Sequence, residues 1–184
     1  MGREIHLSQK SRKHGYWTSF ESDPHLTKLK RRIRYRCTPC IESLYRQLIE
    51  GKNEIELGPA FDCWKVVVVL GNEEECFKVL EKYQEKFLPS RHICGRFGSK
   101  GKDGTKAIVV NAETEEERDA LLSELRECVN DLNLTAQIFY SKGCAYLYGE
   151  LLGDWHKWQR VTPVSHPENV EKVIKRIKEV LEIS

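Results

Sequence analysis

No apolar run in this chain is long enough to cross a bilayer. The longest, Val66–Leu70 with its flanks, falls far short of the ~20 residues a spanning helix needs. The N-terminus is polar and lacks the apolar centre of a signal peptide. "MGREIH" lacks the Ser or Thr that a myristoylation signal carries at position 6. These absences predict a soluble, reduced, cytoplasmic protein with no membrane partner. Catalytic signatures are missing too. There is no Gly-x-Ser-x-Gly, no His-Glu-x-x-His and no paired Asp cluster. Histidines are scattered, and His14, His92 and His156 are the only candidates for general acid or base work. A nuclease-type activity stays open, but no catalytic residue is assigned and the chain reads more as a binder than as an enzyme. The seven cysteines form no regular disulfide framework, and several occupy apolar positions of periodic segments, where Cys acts as a small hydrophobe.

Charge is abundant and unevenly spread. The formal net charge is +2, yet residues 1–50 carry +6 and the remainder −4. A basic N-terminal third on an acidic body points to an anionic partner for that third. A solvated charged surface is the plainer explanation of the same numbers.

Periodicity divides the chain. Residues 1–27 show no sustained period and read as a basic irregular segment. Residues 28–62 read as a β-α extension. In it Arg32, Arg34 and Arg36 alternate with Ile33, Tyr35 and Cys37 as on a half-buried strand, and Thr38-Pro39 starts a helix. Residues 63–152 read as a ferredoxin-like core with an extra hairpin strand. "CWKVVVVLG" is its buried first strand, Asn72 with Glu75 caps a helix, and "RHICGRF" and "KAIVVN" form a hairpin. Thr114 with Glu117 caps a second helix, "AQIFYS" is a strand, and "CAYLYGELL" is the extra one. Residues 153–184 hold a connection and an amphipathic helix starting near Glu168. The expected fold is α+β in one compact domain. A βαββαβ core carries an antiparallel sheet with both helices on one face, extended by the N-terminal β-α unit and by the C-terminal strand plus helix.

The Cys37-x-x-Cys40 pair has the spacing of half a zinc site, but a tetrahedral site needs about four ligands. Only His14, His25, Cys63 or Cys94 could complete it, and only through the fold. Zinc is therefore a conditional cofactor, and no other cofactor is expected. With Cys40 in the first turn of a helix, the dipole and nearby Arg34 and Arg36 would favour a thiolate. "CTPC" is similar over those four residues to the active-site motif of thioredoxin-like proteins, though the elements that follow depart from that plan. As a plain structural feature, the pair is the joint between a strand and its helix.

"GRFGSKGKDGTK" puts Arg96, Lys100 and Lys102 on a glycine-rich hairpin. It is not a Walker loop, because no Gly-Lys-Ser/Thr precedes a helix. A basic hairpin tip still suits phosphate. "TKAIVVNAETEEERDALLSEL" resembles the third strand and second helix of an RNA-recognition motif, which implies bases stacked on aromatics of the two central strands. Here those strands read "VVVV" and "AIVV", with no aromatic. Aromatic residues beside cations occur elsewhere: Trp155 and Trp158 around His156 and Lys157 with Arg160 beyond, Tyr146 and Tyr148 together on a strand face, and Tyr16 and Trp17 after Arg12 and Lys13. Each set can also be ordinary core or edge packing.

These features make the chain a candidate nucleic-acid-binding protein, with DNA or RNA as partner. It would grip phosphate through Lys28, Lys30, Arg31, Arg32, Arg34, Arg36, Arg96, Lys100 and Lys102, with Trp155, Lys157 and Trp158 adding contacts. Two alternatives stand beside it. One is an assembly module that forms homo-oligomers through the C-terminal helix. The other is a zinc or redox site at Cys37 and Cys40.

Overall fold

The computed structural model describes residues 5–11, 16–22, 26–88, 91–99 and 105–182, and within these the side chains of 5, 7, 16–22, 37–88, 91–99 and 105–182. In chain order the elements are β1 (His6–Ser11), β2 (Tyr16–Glu21), α1 (Leu26–Ile49), β3 (Glu54–Glu56), β4 (Trp64–Leu70), α2 (Glu73–Phe87), β5 (Cys94–Ser99), β6 (Lys106–Ala112), α3 (Glu115–Asp131), β7 (Gln137–Lys142), α4 (Ala145–Leu152), β8 (Val161–Pro163) and α5 (Val170–Leu181). Single 3₁₀ turns lie at Gly58–Asp62, Trp155–Lys157 and Pro167–Asn169. The fold is mixed helix and sheet, and the chain divides into two compact units. One comprises Met1–Lys30 and Trp64–Ser141, the other Arg31–Cys63 and Lys142–Ser184. No described helix is long and apolar enough to cross a membrane.

The first unit is built on a sheet of strand order β1-β2-β5-β6-β4-β7. The β1–β2, β2–β5, β5–β6 and β4–β6 pairs are antiparallel. β4 and β6 are β-branched, and Val66 faces Val110 while Val68 faces Ile108. All four are fully buried. β-branched side chains pack well on a pleated surface, and each buried Val or Ile is worth about 1.5–3 kcal/mol. Both helices cover this face. Phe77 of α2 meets Phe97 of β5 at 5.0 Å between ring centroids, and Arg118 of α3 lies over Trp64 of β4. Leu80 and Tyr83 of α2 and Leu121, Leu125 and Cys128 of α3 complete the core. The helix starts follow the expected capping chemistry. Asn72 Oδ1 accepts from the Glu75 N–H and Thr114 Oγ1 from the Glu117 N–H. Glu75 and Glu117 in turn accept from the N–H groups of Gly71 and Glu113.

Three local expectations are overturned. Within residues 1–27, predicted to be irregular, the structure forms the β1–β2 hairpin that widens the sheet. β1, at the edge, is mostly polar, as an edge permits, and β2 mixes aromatic with polar residues on both faces, so neither shows a clean alternation. The strand predicted over Arg32–Cys37 lies inside α1, and the helix predicted to start at Thr38-Pro39 begins at Leu26. Leu26, Leu29, Ile33, Cys37, Cys40, Leu44 and Leu48 recur every three or four residues, and this longer period overrides the local alternation. Pro39 is tolerated inside the helix although it supplies no N–H to the Tyr35 carbonyl. The strand predicted at Cys144–Leu152 is α4. Its buried residues Leu147, Tyr148, Leu151 and Leu152 form a helical stripe rather than an alternating row.

The second unit packs the C-terminal half of α1 with α4, α5 and a two-stranded ribbon of β3 and β8. Leu44, Leu48, Ile55, Leu151, Val173 and Ile177 form its core. The Gln47 amide acts as a piece of strand: Oε1 accepts from the Glu56 N–H at 2.8 Å and Nε2 donates to the Glu56 carbonyl at 3.1 Å. α4 ends where Gly153, at φ 71°, donates its N–H to the Gly149 carbonyl. The Glu150 carboxylate takes Arg176 at 2.8 Å and Lys172 at 3.3 Å, tying α4 to α5.

Two tests follow from this packing. A Cβ on Gly98, whose φ is +144°, would lie 1.8 Å from the Tyr16 carbonyl oxygen. Gly98→Ala is therefore expected to cost about 3 kcal/mol and to deprotect the β2–β5 amides in hydrogen exchange, and unchanged protection would refute this account of the strand pair. The second test concerns pH. The Arg176 hydrogen bond, helped by Lys172 and opposed by partial burial, holds the Glu150 carboxyl below its ordinary range. A depressed carboxyl stabilises the fold above its unfolded pKa, about 4.3, and that increment disappears as pH falls through the folded value. Glu150→Gln should cost no more than about 1 kcal/mol at neutral pH and flatten the acid limb of a melting-temperature profile. Parallel acid limbs in the two proteins would contradict the assignment.

Candidate nucleic-acid interface

Strand alternation places Tyr16, Thr18 and Phe20 of β2 on the helix-covered face, with Phe20 beside Phe97 at 6.5 Å. Trp17 and Ser19 therefore point to the opposite face, as do Arg96 of β5, Ala107 and Val109 of β6, and Val67 and Val69 of β4. There the Arg96 guanidinium lies over the Trp17 ring, 4.6 Å from its centroid. Arg96 is exposed and Trp17 half-buried. In cross-strand register Trp17 sits beside Gly98, and Gly98 beside Ala107. The floor next to the indole is thus made of two residues with almost no side chain.

Four other described arginines hold carboxylates, whereas Arg46 and Arg126, like Arg96, have none at ion-pair distance among the described residues. Arg91 pairs with Glu124 at 3.1 Å, Arg118 with Asp119 at 2.8 Å, Arg160 with Asp62 at 3.2 Å and Arg176 with Glu150. Among the described residues Arg96 has no carboxylate at ion-pair distance. Arg118 also lies over aromatic rings, those of Trp64 and Tyr140 at 4.3 and 4.4 Å. It is buried and neutralised, however, with its cation held firmly by Asp119, so it is a packing element.

The remaining predicted contacts separate. Positions 28, 30, 31, 32, 34 and 36 all lie on α1, and their side chains fall outside the described residues. The single arginine stripe expected for a strand does not carry over, because helix positions two apart are turned about 200° around the axis. Lys100 and Lys102 also fall outside the described residues, as do His14 and His25. In the second unit Trp158 is 6% exposed and belongs to the core, beside Tyr148. It is a packing residue, not a stacking platform. Trp155 is half-buried and stacks on its neighbour His156, with ring centroids 3.7 Å apart. The His156 ring meets Asp154 at 2.7 Å, and that contact holds the Asp154 carboxyl below its usual range. Lys157 is exposed. Tyr146 and Tyr148, expected on one strand face, lie on opposite sides of α4, at 56% and 1% exposure. His92 is exposed at the start of the segment leading into β5. Trp17 was legible only as one aromatic beside cations. Its partner Arg96, nearly eighty positions along the chain, carries no local sign of the pairing.

The cysteines also resolve. Cys40 sits deep inside α1, far from the helix N-terminus, so the dipole that would have favoured its thiolate does not act on it. Tyr148 donates its hydroxyl to the Cys40 carbonyl at 3.3 Å. Burial pushes the Tyr148 hydroxyl pKa up, and the adjoining Cys144, Cys40 and Cys37 push it the same way. Cys63 lies against Gly143, where an added Cβ would come within 2.7 Å of its sulfur. Among the described residues no three His, Cys, Asp or Glu side chains are grouped so as to hold a metal ion. In the first unit Cys76 and Cys128 are core residues, each pushed up to about 12 mainly by burial, which keeps them protonated and unreactive.

Compared with protein-family models, with curated proteins and with solved structures, the chain matches none of them.

Proposed function

We propose that the chain binds nucleic acid, and that the exposed part of the sheet face around Arg96, opposite α2 and α3, is a contact surface for its phosphates. The observation that carries this reading is the exposed Arg96 guanidinium, oriented on an indole and unneutralised among the described residues. Guanidinium is suited to phosphate because its planar fork can bond two oxygens at once. The +6 charge of residues 1–50 supports the same partner. So does the concentration of Lys28, Lys30, Arg31, Arg32, Arg34 and Arg36 along one stretch of α1. We also read the first unit as a split βαβ, ferredoxin-like core, widened by β1 and β2. The order β5-β6-β4-β7, with α2 and α3 as the connecting helices, supports that plan.

A mobility-shift titration against single- and double-stranded DNA and RNA should show binding at low salt that weakens steeply as salt rises. Arg96→Gln should lower the slope of log affinity against log salt by about 0.7–0.9, the share of one phosphate. Failure of the wild-type chain to shift any of these polymers at low salt would end the proposal.

A further inference from the structure

We infer that the strand bound by this face is single-stranded, with one base stacked on Trp17 and Arg96 turned to a flanking phosphate. The inference rests on the nucleic-acid reading above and narrows it. In a duplex, successive base pairs cover each other's π-faces, and only edges and phosphates are available to a protein. An indole on a sheet surface gains stacking energy only from an unstacked base.

The surroundings of Trp17 suit such a base. Its cross-strand neighbours on this face are Gly98 and then Ala107. A planar ring beside the indole would meet backbone and a methyl group rather than a bulky side chain. Beyond Ala107 the register continues to Val69, which is half-buried. The guanidinium of Arg96 already covers the indole π-surface at 4.6 Å. It is a planar cation occupying the place of a planar base, and its exposed head can swing outward on its flexible stem without breaking an ion pair to any described carboxylate. Departure of the guanidinium uncovers the ring, and the released cation stands where the phosphate next to a stacked base would lie. Stacking and charge neutralisation are therefore coupled through one residue pair. The platform lies on β2, outside the central strands β4 and β6, which carry no aromatic on this face.

The test uses the full chain and four probes: 12-nucleotide single strands of RNA and of DNA, and the matching 12-base-pair duplexes. Binding is read by fluorescence anisotropy at low salt, with folding of each variant checked by circular dichroism. The wild-type chain should prefer the single strands by tenfold or more. Trp17→Ala should weaken single-strand binding about 5- to 150-fold, the range one stacked base supplies, and weaken duplex binding far less. Trp17→Phe should recover most of the loss. Equal affinity for duplexes, or unaltered single-strand binding by a folded Trp17→Ala, would overturn the single-strand inference while leaving nucleic-acid binding intact. Absence of binding to all four probes would overturn both together.

Discussion

The first unit depends on how closely three backbones approach one another at β5. A side chain on Gly95 would put its Cβ 1.9 Å from the Val109 carbonyl oxygen, and one on Gly98 would meet the Tyr16 carbonyl at 1.8 Å. Two glycines three positions apart let β5 sit between β6 on one side and β2 on the other. Gly98 also adopts a backbone angle that other residues rarely hold. Without that seam β2 could not join the sheet. The β1–β2 hairpin would then be a lone two-stranded ribbon, which is marginal on its own in water. Joining the sheet lets Phe20 reach Phe97, which also meets Phe77, and buries Ser22 with its hydroxyl accepting from the Ile93 N–H. It also carries Trp17 onto the opposite face, beside Arg96. The candidate interface is thus a consequence of the same glycines that widen the sheet.

The second unit solves a different problem with little sheet of its own. β3 and β8 are three residues each, too short to be stable as a ribbon. Side chains supply what longer strands would have provided. Gln47 satisfies both backbone groups of Glu56 from α1, and Thr162 Oγ1 closes a turn by accepting from the Gln159 N–H and donating to the Gln159 carbonyl. Buried polar groups are costly unless paired, and these pairs fix which face of α1 the ribbon sits against. Tyr148 works similarly, with a ring in the core beside Trp158 and a hydroxyl on the Cys40 carbonyl.

The central β-α-β-β-α-β run was legible because each element there satisfies a local rule: β-branched strands, capped helices and a glycine-rich hairpin. Where two periods competed, the shorter window misled. Arg32–Cys37 alternates over six residues, but the three-and-four spacing from Leu26 to Leu48 extends over the whole helix and decides the outcome. In "CAYLYGELL" the tyrosines at 146 and 148 suggest alternation, while the leucines at 147, 151 and 152 carry the helical period. The hairpin of β1 and β2 was hidden for another reason. β2 puts aromatics on both faces, so no alternation marks it, and its pairing depends on the close approach that Gly98 of a distant strand allows. The candidate site was partly legible. Arg96 was foreseen as a cation on a hairpin, but its contact with Trp17 exists only because β2 and β5 are neighbours. Trp158 shows the converse, since an aromatic beside cations in sequence turned out to be core.

The energetics of the Arg96–Trp17 pair explain why such a contact suits a binding surface better than an ion pair does. An exposed cation–π contact is worth about 0.5–1 kcal/mol, enough to orient a guanidinium but little to give up. A stacked base returns about 1–3 kcal/mol, and a phosphate received by the freed guanidinium adds a charge-assisted bond. Exchange of the cation for a base is therefore downhill by more than the contact costs. Had Arg96 been paired as Arg118 is, with Asp119 on one side and two rings enclosing it, leaving would break an ion pair and uncover both rings for no return. The same residue type is thus a buried packing element on one face of the sheet and an exposed cation on the other, and the difference lies chiefly in burial.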